Sequence, residues 1–340
     1  MIFSGEGSYY SRTTQFRYAS SPRDVCAGGQ APEVTVHLGW VPALDPSEKL
    51  IAGGVEGGPI WSMCDSARVR VRYPDQTCMV IGASGSEIWI QWPADQDVSD
   101  ALTYVMGPGM GVSLALQGVP SLHASVAIPP GSSTCAMFVG PAGAGKSTTV
   151  AGLVAKMGWC SVTEDTAALD QDVSGGITVR PGYPLIRLWP QSVQLLGGTL
   201  DEYPALTPNW SKRYMDLAGS AEKFATFSSR PAAIFVFEGR HEGPESIRVT
   251  PISAAESLPL LIAEAYVRRV VAPRQRAIEF GAFGWLANNV KAYRLSMTAD
   301  SARFLTAIKQ LSDWSLDAMN HPSEPVAEAR IVDNEACHLG

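Results

Sequence analysis

Short blocks of alternating apolar and polar residues dominate the first third of the chain, at 34–38 (VTVHL), 67–73 (ARVRVRY), 78–81 (CMVI) and 87–92 (EIWIQW). A period of two predicts strands with one covered face. Gly82-Ala-Ser-Gly85 between the last two is a hairpin turn signal. Residues 33–95 therefore predict a small, mostly antiparallel β module. Arg68, Arg70 and Arg72 leave one strand on the same face, either as a solvated surface or as a contact for an acidic partner. Residues 1 to about 30 are rich in Ser, Gly, Arg and Tyr without apolar periodicity, which predicts a loose arm.

The pattern lengthens afterwards. A helix is predicted over 97–106, ended by Gly107-Pro-Gly109, and a second helical run over 112–117. The stretch 118–128 reads as a strand carrying His123, and Pro129-Pro-Gly131 turns it into the apolar strand 135–139. A glycine-rich loop and a helix follow. Residues 158–166 form a short strand whose carboxyl end delivers Glu164 and Asp165. The stretch 175–189 predicts a hairpin around Arg180-Pro-Gly-Tyr-Pro184, with Arg187 in its second arm. Beyond a helix at 190–200 and a polar loop at 204–212 comes the strand 232–237, ending in Glu238. Helices at 254–271, near 275–290 and at 299–316, with a strand at 292–296, complete an α/β pattern; past Asn320 an acidic, mobile tail is expected.

The loop spells Gly140-Pro-Ala-Gly-Ala-Gly-Lys-Ser-Thr148, a G-x-x-x-x-G-K-[ST] sequence between a predicted strand and a predicted helix. Gly140, Gly143 and Gly145 permit backbone conformations that point successive N–H groups inward, and Ala144 and Thr148 line the same turn. The helix start adds its positive dipole end. Lys146 is placed to reach outer phosphates and Ser147 to ligate Mg2+. The competing reading is a glycine-rich turn that binds nothing. Phosphoryl transfer also needs a carboxylate for the metal and one for the acceptor proton. Glu164 and Asp165 can divide those roles only if the backbone turns there, because neighbours on a strand face opposite ways; otherwise they cap the next segment. Glu238 is a rival metal carboxylate. His123 is either a core residue or a proton relay. Arg187 and Arg213 either stabilise transferred charge or pair structurally.

At 340 residues the chain suggests two domains, and 46% hydrophobic with 17% charged residues is a globular composition. A net charge of −7 without a dense Lys/Arg cluster argues against nucleic acid as a partner. Six cysteines without C-x-x-C spacing, two of them (Cys135 and Cys160) in apolar runs, predict buried thiols and a reducing cytoplasmic setting. The amino terminus lacks the features of a secretory signal, no apolar run reaches membrane-span length, and no internal repeat is visible.

Together, Leu122-His-Ala-Ser-Val126, the loop 140–148, Val162-Thr-Glu-Asp-Thr166 and the run 181–190 (PGYPLIRLWP) resemble the carboxy-terminal domain of the HPr serine kinase family. The match is nearest to the HPr-kinase-related proteins of lasso-peptide biosynthesis and covers about 106–315. It implies an α/β fold with a P-loop nucleotide-binding core at 106–317, an amino-terminal recognition or assembly module at 1–105 and a flexible tail at 318–340. It further implies an ATP- and Mg2+-dependent kinase acting on a serine of a precursor peptide, at its carboxyl terminus, and assembly into homo-oligomers. Carried over, Glu164 is the base, Asp165 the metal-linked neighbour beside Ser147, and His123 and Lys146 complete the catalytic set. Glu-Asp stands where regulatory HPr kinases have Asp-Asp, which leaves the division of roles between 164 and 165 open. The absence of an HPr-kinase signature in the carboxyl half disfavours HPr itself. ATP and GTP stay open, as do a nucleotide-gated regulatory protein without transferase activity and a small-molecule kinase.

Overall fold

The computed structural model describes residues 13–17, 33–52, 58–172, 174–266, 273–320 and 329–332. It is a mixed α/β protein that divides into two compact units, each discontinuous in sequence. Most of the expected arm and tail lie outside the described residues. Two pieces of those segments are nevertheless strands, as described below.

The first unit, Met1–Ser121 with Ala205–Ser211 and Ala265–Gly281, is built on a seven-stranded sheet. Its strands are β1 (Thr13–Arg17), β2 (Glu33–Leu38), β3 (Lys49–Ala52), β4 (Ile60–Met63), β5 (Val69–Arg72), β6 (Cys78–Ile81) and β7 (Glu87–Gln91), in the spatial order β1-β2-β7-β6-β5-β4-β3. All pairs are antiparallel except β2 with β7. Alternation sends Val34, Val36, Val69, Val71, Met79, Ile81, Ile88 and Ile90 to one face, where they are buried against helices α1 (Val98–Tyr104) and α2 (Met110–Leu116). Burying each such side chain contributes about 1.5–3 kcal/mol. The strand β1 departs from the expected loose arm: backbone pairing to β2 orders it although its own sequence has no apolar rhythm.

Two further expectations are corrected here. Gly107-Pro-Gly109 does not end the helix; a π-helical turn, Val105–Gly109, absorbs Pro108 and its missing N–H and joins α1 to α2. Nor is Arg70 part of a solvated stripe. It is buried, its Nε donates to both oxygens of Glu48 (3.0 and 3.1 Å), and its Nη2 donates to the carbonyls of Pro42 and Ala43 (2.8 and 3.0 Å). Arg68 pairs with Asp45, so these two arginines tie down the connection between β2 and β3.

The second unit comprises Leu122–Pro204, Lys212–Glu264 and Ala282–Gly340. Its elements are β8 (Ser121–Ile128), β9 (Thr134–Val139), α3 (Lys146–Met157), β10 (Cys160–Thr163), β11 (Thr166–Gln171), β12 (Ile177–Val179), β13 (Leu185–Leu188), α4 (Pro190–Leu195), β14 (Arg213–Asp216), β15 (Arg230–His241), β16 (Glu245–Ile252), α5 (Ala254–Ala263), the 282–289 part of α6 (Pro273–Asn289), β17 (Lys291–Thr298), α7 (Phe304–Asn320) and β18 (Ala329–Val332). The main sheet runs β12-β11-β8-β9-β15-β17-β16-β18, with β10 also paired to β8. Strands β9, β15 and β17 are parallel, and antiparallel strands flank them on both sides. Phe138, Phe235 and Tyr293 on those three strands stack beneath α3 and α7. Gly152 permits the close approach of the two helices, since a Cβ there would lie 2.9 Å from Ile308 Cγ1. Cys135 is fully covered, and burial pushes its thiol up to about 12, as expected of an inert core sulfur.

The expected hairpin over 175–189 is not formed. β12 turns back on β11, whereas β13 pairs with β14 in a separate two-stranded sheet, because Pro181 and Pro184 interrupt the run and withhold N–H donors. Of the helix expected over 254–271, Ala254–Ala263 is observed; 267–271 lie outside the described residues. Within the expected tail, β18 adds to the free edge of β16. No helix among the described residues is long and apolar enough to cross a membrane.

Candidate functional site

Strand β9 runs directly into the glycine-rich loop. Gly140, Gly143 and Gly145 adopt φ of 152°, 80° and 107°, a region closed to most side chains, and Gly145 caps α3. Pro141, Ala142 and Gly143 are exposed, Ala144 is half-buried in a turn closed by its N–H on Pro141 O (3.2 Å), and Lys146 is buried. Lys146 Nζ donates to the carbonyls of Gly140 (2.7 Å) and Pro141 (3.0 Å) and lies 3.2 Å from His123 Nε2. On the other side of its ring, His123 Nδ1 faces Glu264 Oε2 at 3.5 Å. Burial pulls the Lys146 pKa below the ordinary lysine value, while Asp165, Glu264 and Glu164 act against that shift.

The chain between β10 and β11 supplies the carboxylates. Thr166 N–H bonds to Glu164 O (2.9 Å) across Asp165, whose φ is 72°. Such a turn costs about 1–3 kcal/mol and persists only where surroundings enforce it. Here Ala124 N–H holds Asp165 O (3.2 Å) and Thr163 Oγ1 holds Thr166 O (2.9 Å). The turn breaks strand alternation, so both acids enter one network. Glu164 is 4% exposed. Its Oε1 accepts from Ser147 Oγ (2.7 Å), and its Oε2 accepts from Tyr183 Oη (3.1 Å) and Arg187 Nε (3.0 Å). Asp165 Oδ2 pairs with Arg187 Nη2 (2.8 Å), and Oδ1 lies 3.4 Å from His123 Nε2. One guanidinium therefore bridges both acids.

His123, Lys146, Ser147, Glu164, Asp165 and Arg187 are brought together in the second unit. Thr148 turns inward and shares a hydrogen bond with Ser192 (2.7 Å). Glu238 stands apart, exposed and paired with Arg294 at 2.6 Å. Arg213 lies opposite Leu188, away from the face that carries Arg187, and has no bond to the network. Sequence reasoning missed Glu264, Tyr183 and Lys212. Tyr183 sits inside the run 181–190, which was a signal; Glu264 follows the last turn of α5 and reaches His123 only because His123 N–H bonds to its carbonyl (2.8 Å).

Among the described residues no three His, Cys, Asp or Glu side chains are grouped to hold a metal unaided. The Ser147 hydroxyl and the Glu164 carboxylate, paired beside the glycine-rich loop, are oxygen donors of the kind Mg2+ takes when phosphates and water complete its shell. Scans against protein-family models and against curated proteins return no match for this chain.

Proposed function

We propose that the second unit is an HPr-kinase-like P-loop domain and that the protein is an ATP-dependent kinase for a serine hydroxyl of a peptide. The observation that carries this reading is the 2.7 Å bond from Ser147, in the first turn of α3, to the buried Glu164. It ties the phosphate-cradle signature to an acid pair within one network. A turn that binds nothing gives no reason to gather a buried carboxylate and a half-buried one around one arginine.

The fit of a triphosphate and Mg2+ rests on the three positive-φ glycines and on the Ser147–Glu164 pair. The amides of 143–147 and Lys146 would hold the triphosphate of ATP, and Ser147 with Glu164 would hold Mg2+. ATP when bound supplies the transferable phosphoryl group, and Mg2+ offsets its charge. Lys146, now held by Gly140 O and Pro141 O, would supply the positive charge that the phosphate oxygens need. Asp165 accepts the proton that leaves the acceptor hydroxyl. His123, fixed between Lys146 and Glu264, orients the Asp165 carboxylate, and Arg187 holds the two acids apart in direction. This division of labour is the reverse of the one the family resemblance implies, because Ser147 pairs with Glu164 and not with Asp165.

The test is incubation with Mg·ATP and a panel of peptides ending in serine, read by mass spectrometry. A gain of one phosphate that disappears with Lys146→Ala is expected. Retained ATP binding with no transfer to any peptide would favour a nucleotide-gated switch instead.

A further inference from the structure

Beyond the acid pair, the two-stranded sheet β13–β14 presents a face of its own. Arg187 lies directly opposite Tyr214, so the two side chains share a side. Period two brings Trp189, whose backbone is still extended, and Lys212 to that same side. The contact agrees: Lys212 Nζ lies 4.6 Å from the centre of the Trp189 ring. Trp189 is 49% exposed, high for so large an apolar side chain.

The cations of the site differ in what they are already doing. Arg187 is committed to Glu164 and Asp165, and Lys146 to the loop carbonyls and His123. Lys212 is half-buried and has no carboxylate within 4 Å among the described residues; its one partner is the Trp189 ring. Burial and Arg187 pull its pKa down, and Glu164 and Asp165 push it back up, so it stands within the field of the acid pair. Partial burial of an ammonium without a counter-ion is costly, and an incoming anion removes that cost. The phosphate end already has a cation and the loop amides. The charge with no carboxylate in contact lies on the two-stranded sheet beside the residue assigned as base, next to an exposed aromatic surface.

We infer that the face formed by Arg187, Trp189 and Lys212 is the acceptor subsite, and that Lys212 binds a carboxylate carried by the acceptor beside its hydroxyl. This rests on the kinase reading above. The carboxylate belongs either to the chain terminus or to an acidic side chain, which the arms of the experiment separate.

Three peptides of common sequence are compared as substrates: one ending in serine as the free acid, the same peptide as its amide, and an amide in which aspartate follows the serine. The wild-type protein is expected to show a KM about tenfold lower for one of the two acidic peptides than for the plain amide. In Lys212→Met, which keeps the stem over Trp189, the ratio falls to about one; in Lys212→Arg most of it returns. The KM for ATP moves less than twofold in either variant. Calorimetric titration of the peptides without nucleotide should show the same ordering. A preference that survives Lys212→Met, or none in the wild type, overturns the inference while leaving the kinase reading intact. A raised KM for ATP with an unchanged peptide ratio assigns Lys212 to the nucleotide and also overturns it. If no peptide gains phosphate, the kinase reading fails and the subsite falls with it.

Discussion

Changing each acid to its amide separates the two carboxylates. Asp165→Asn is the mild member of the pair for folding, since asparagine tolerates the 72° φ at this turn and its amide oxygen still accepts from Arg187 Nη2 at the 2.8 Å contact. Weakening that one charge-assisted bond costs about 1–2 kcal/mol of stability. Loss of a general base costs about 10²–10⁴ in rate, which corresponds to about 2.7–5.4 kcal/mol. The expected result is therefore a kcat lower by at least about a hundredfold, with ATP affinity within a few-fold of wild type. Glu164→Gln keeps an oxygen for Ser147 Oγ but removes the charge from the hydroxyl–carboxylate pair. Its signature is a rise of about tenfold or more in the Mg2+ concentration for half-maximal rate, partly overcome at saturating metal. Steady-state transfer rates over a Mg2+ series at fixed ATP read both effects. If Asp165→Asn keeps more than a third of the activity while Glu164→Gln abolishes it at every Mg2+ concentration, the roles run the other way and the Ser147–Glu164 bond has been misread.

Burial holds Lys146 below the ordinary lysine value of 10.5, so ATP affinity of the free protein should begin to weaken at a lower pH than an exposed lysine would dictate; a binding series from pH 7 to 10 checks this. Glu279 on α6 is 7% exposed, its Oε1 has no hydrogen-bond partner, and burial pushes its pKa up to about 7 against 4.5 for the free side chain. The folded state therefore holds this proton longer than the unfolded state, so stability is full below about pH 4.5, falls as pH rises to about 7, and is level above. The loss approaches about 3 kcal/mol. Urea unfolding of Glu279→Gln at pH 5 and 8 should lack that slope, and an unchanged slope would dismiss Glu279 as its source. At Gly182 an added Cβ would clash with Thr163 Oγ1, beside the turn that aims the acids. Gly182→Ala should destabilise by about 1–3 kcal/mol and lower transfer more than ATP binding, as melting and rate measurements would show.

The elements that chemistry punctuates were legible without coordinates. The glycines at 140, 143 and 145 imply their backbone angles because other residues reach them only with strain, and the apolar runs 135–139 and 232–237 imply buried strands. Asp97 announces the start of α1 by capping Ser99 N–H at 2.8 Å. Where pairing partners are distant in sequence, local pattern was silent. Nothing in TTQFR specifies a strand until β2 offers it an edge, and nothing around Pro108 distinguishes a helix end from a π turn. The run 175–189 reads as one hairpin, yet its arms serve two sheets because their partners lie at 166–171 and 213–216.

The same boundary divides the candidate site. Sequence alone determined its inventory: a glycine loop with Lys146 and Ser147, a strand bearing His123 and a tandem acid pair, all local signals written within a few residues. Tertiary structure decided who meets whom. It placed Glu264 behind His123, gave Arg187 to both acids, removed Glu238 to Arg294, and joined Ser147 to Glu164 rather than to Asp165. The physical reason is that a side chain's role depends on direction. Direction at 164 and 165 comes from a turn held by hydrogen bonds from Ala124 and Thr163 around it, which no spacing of residue types records.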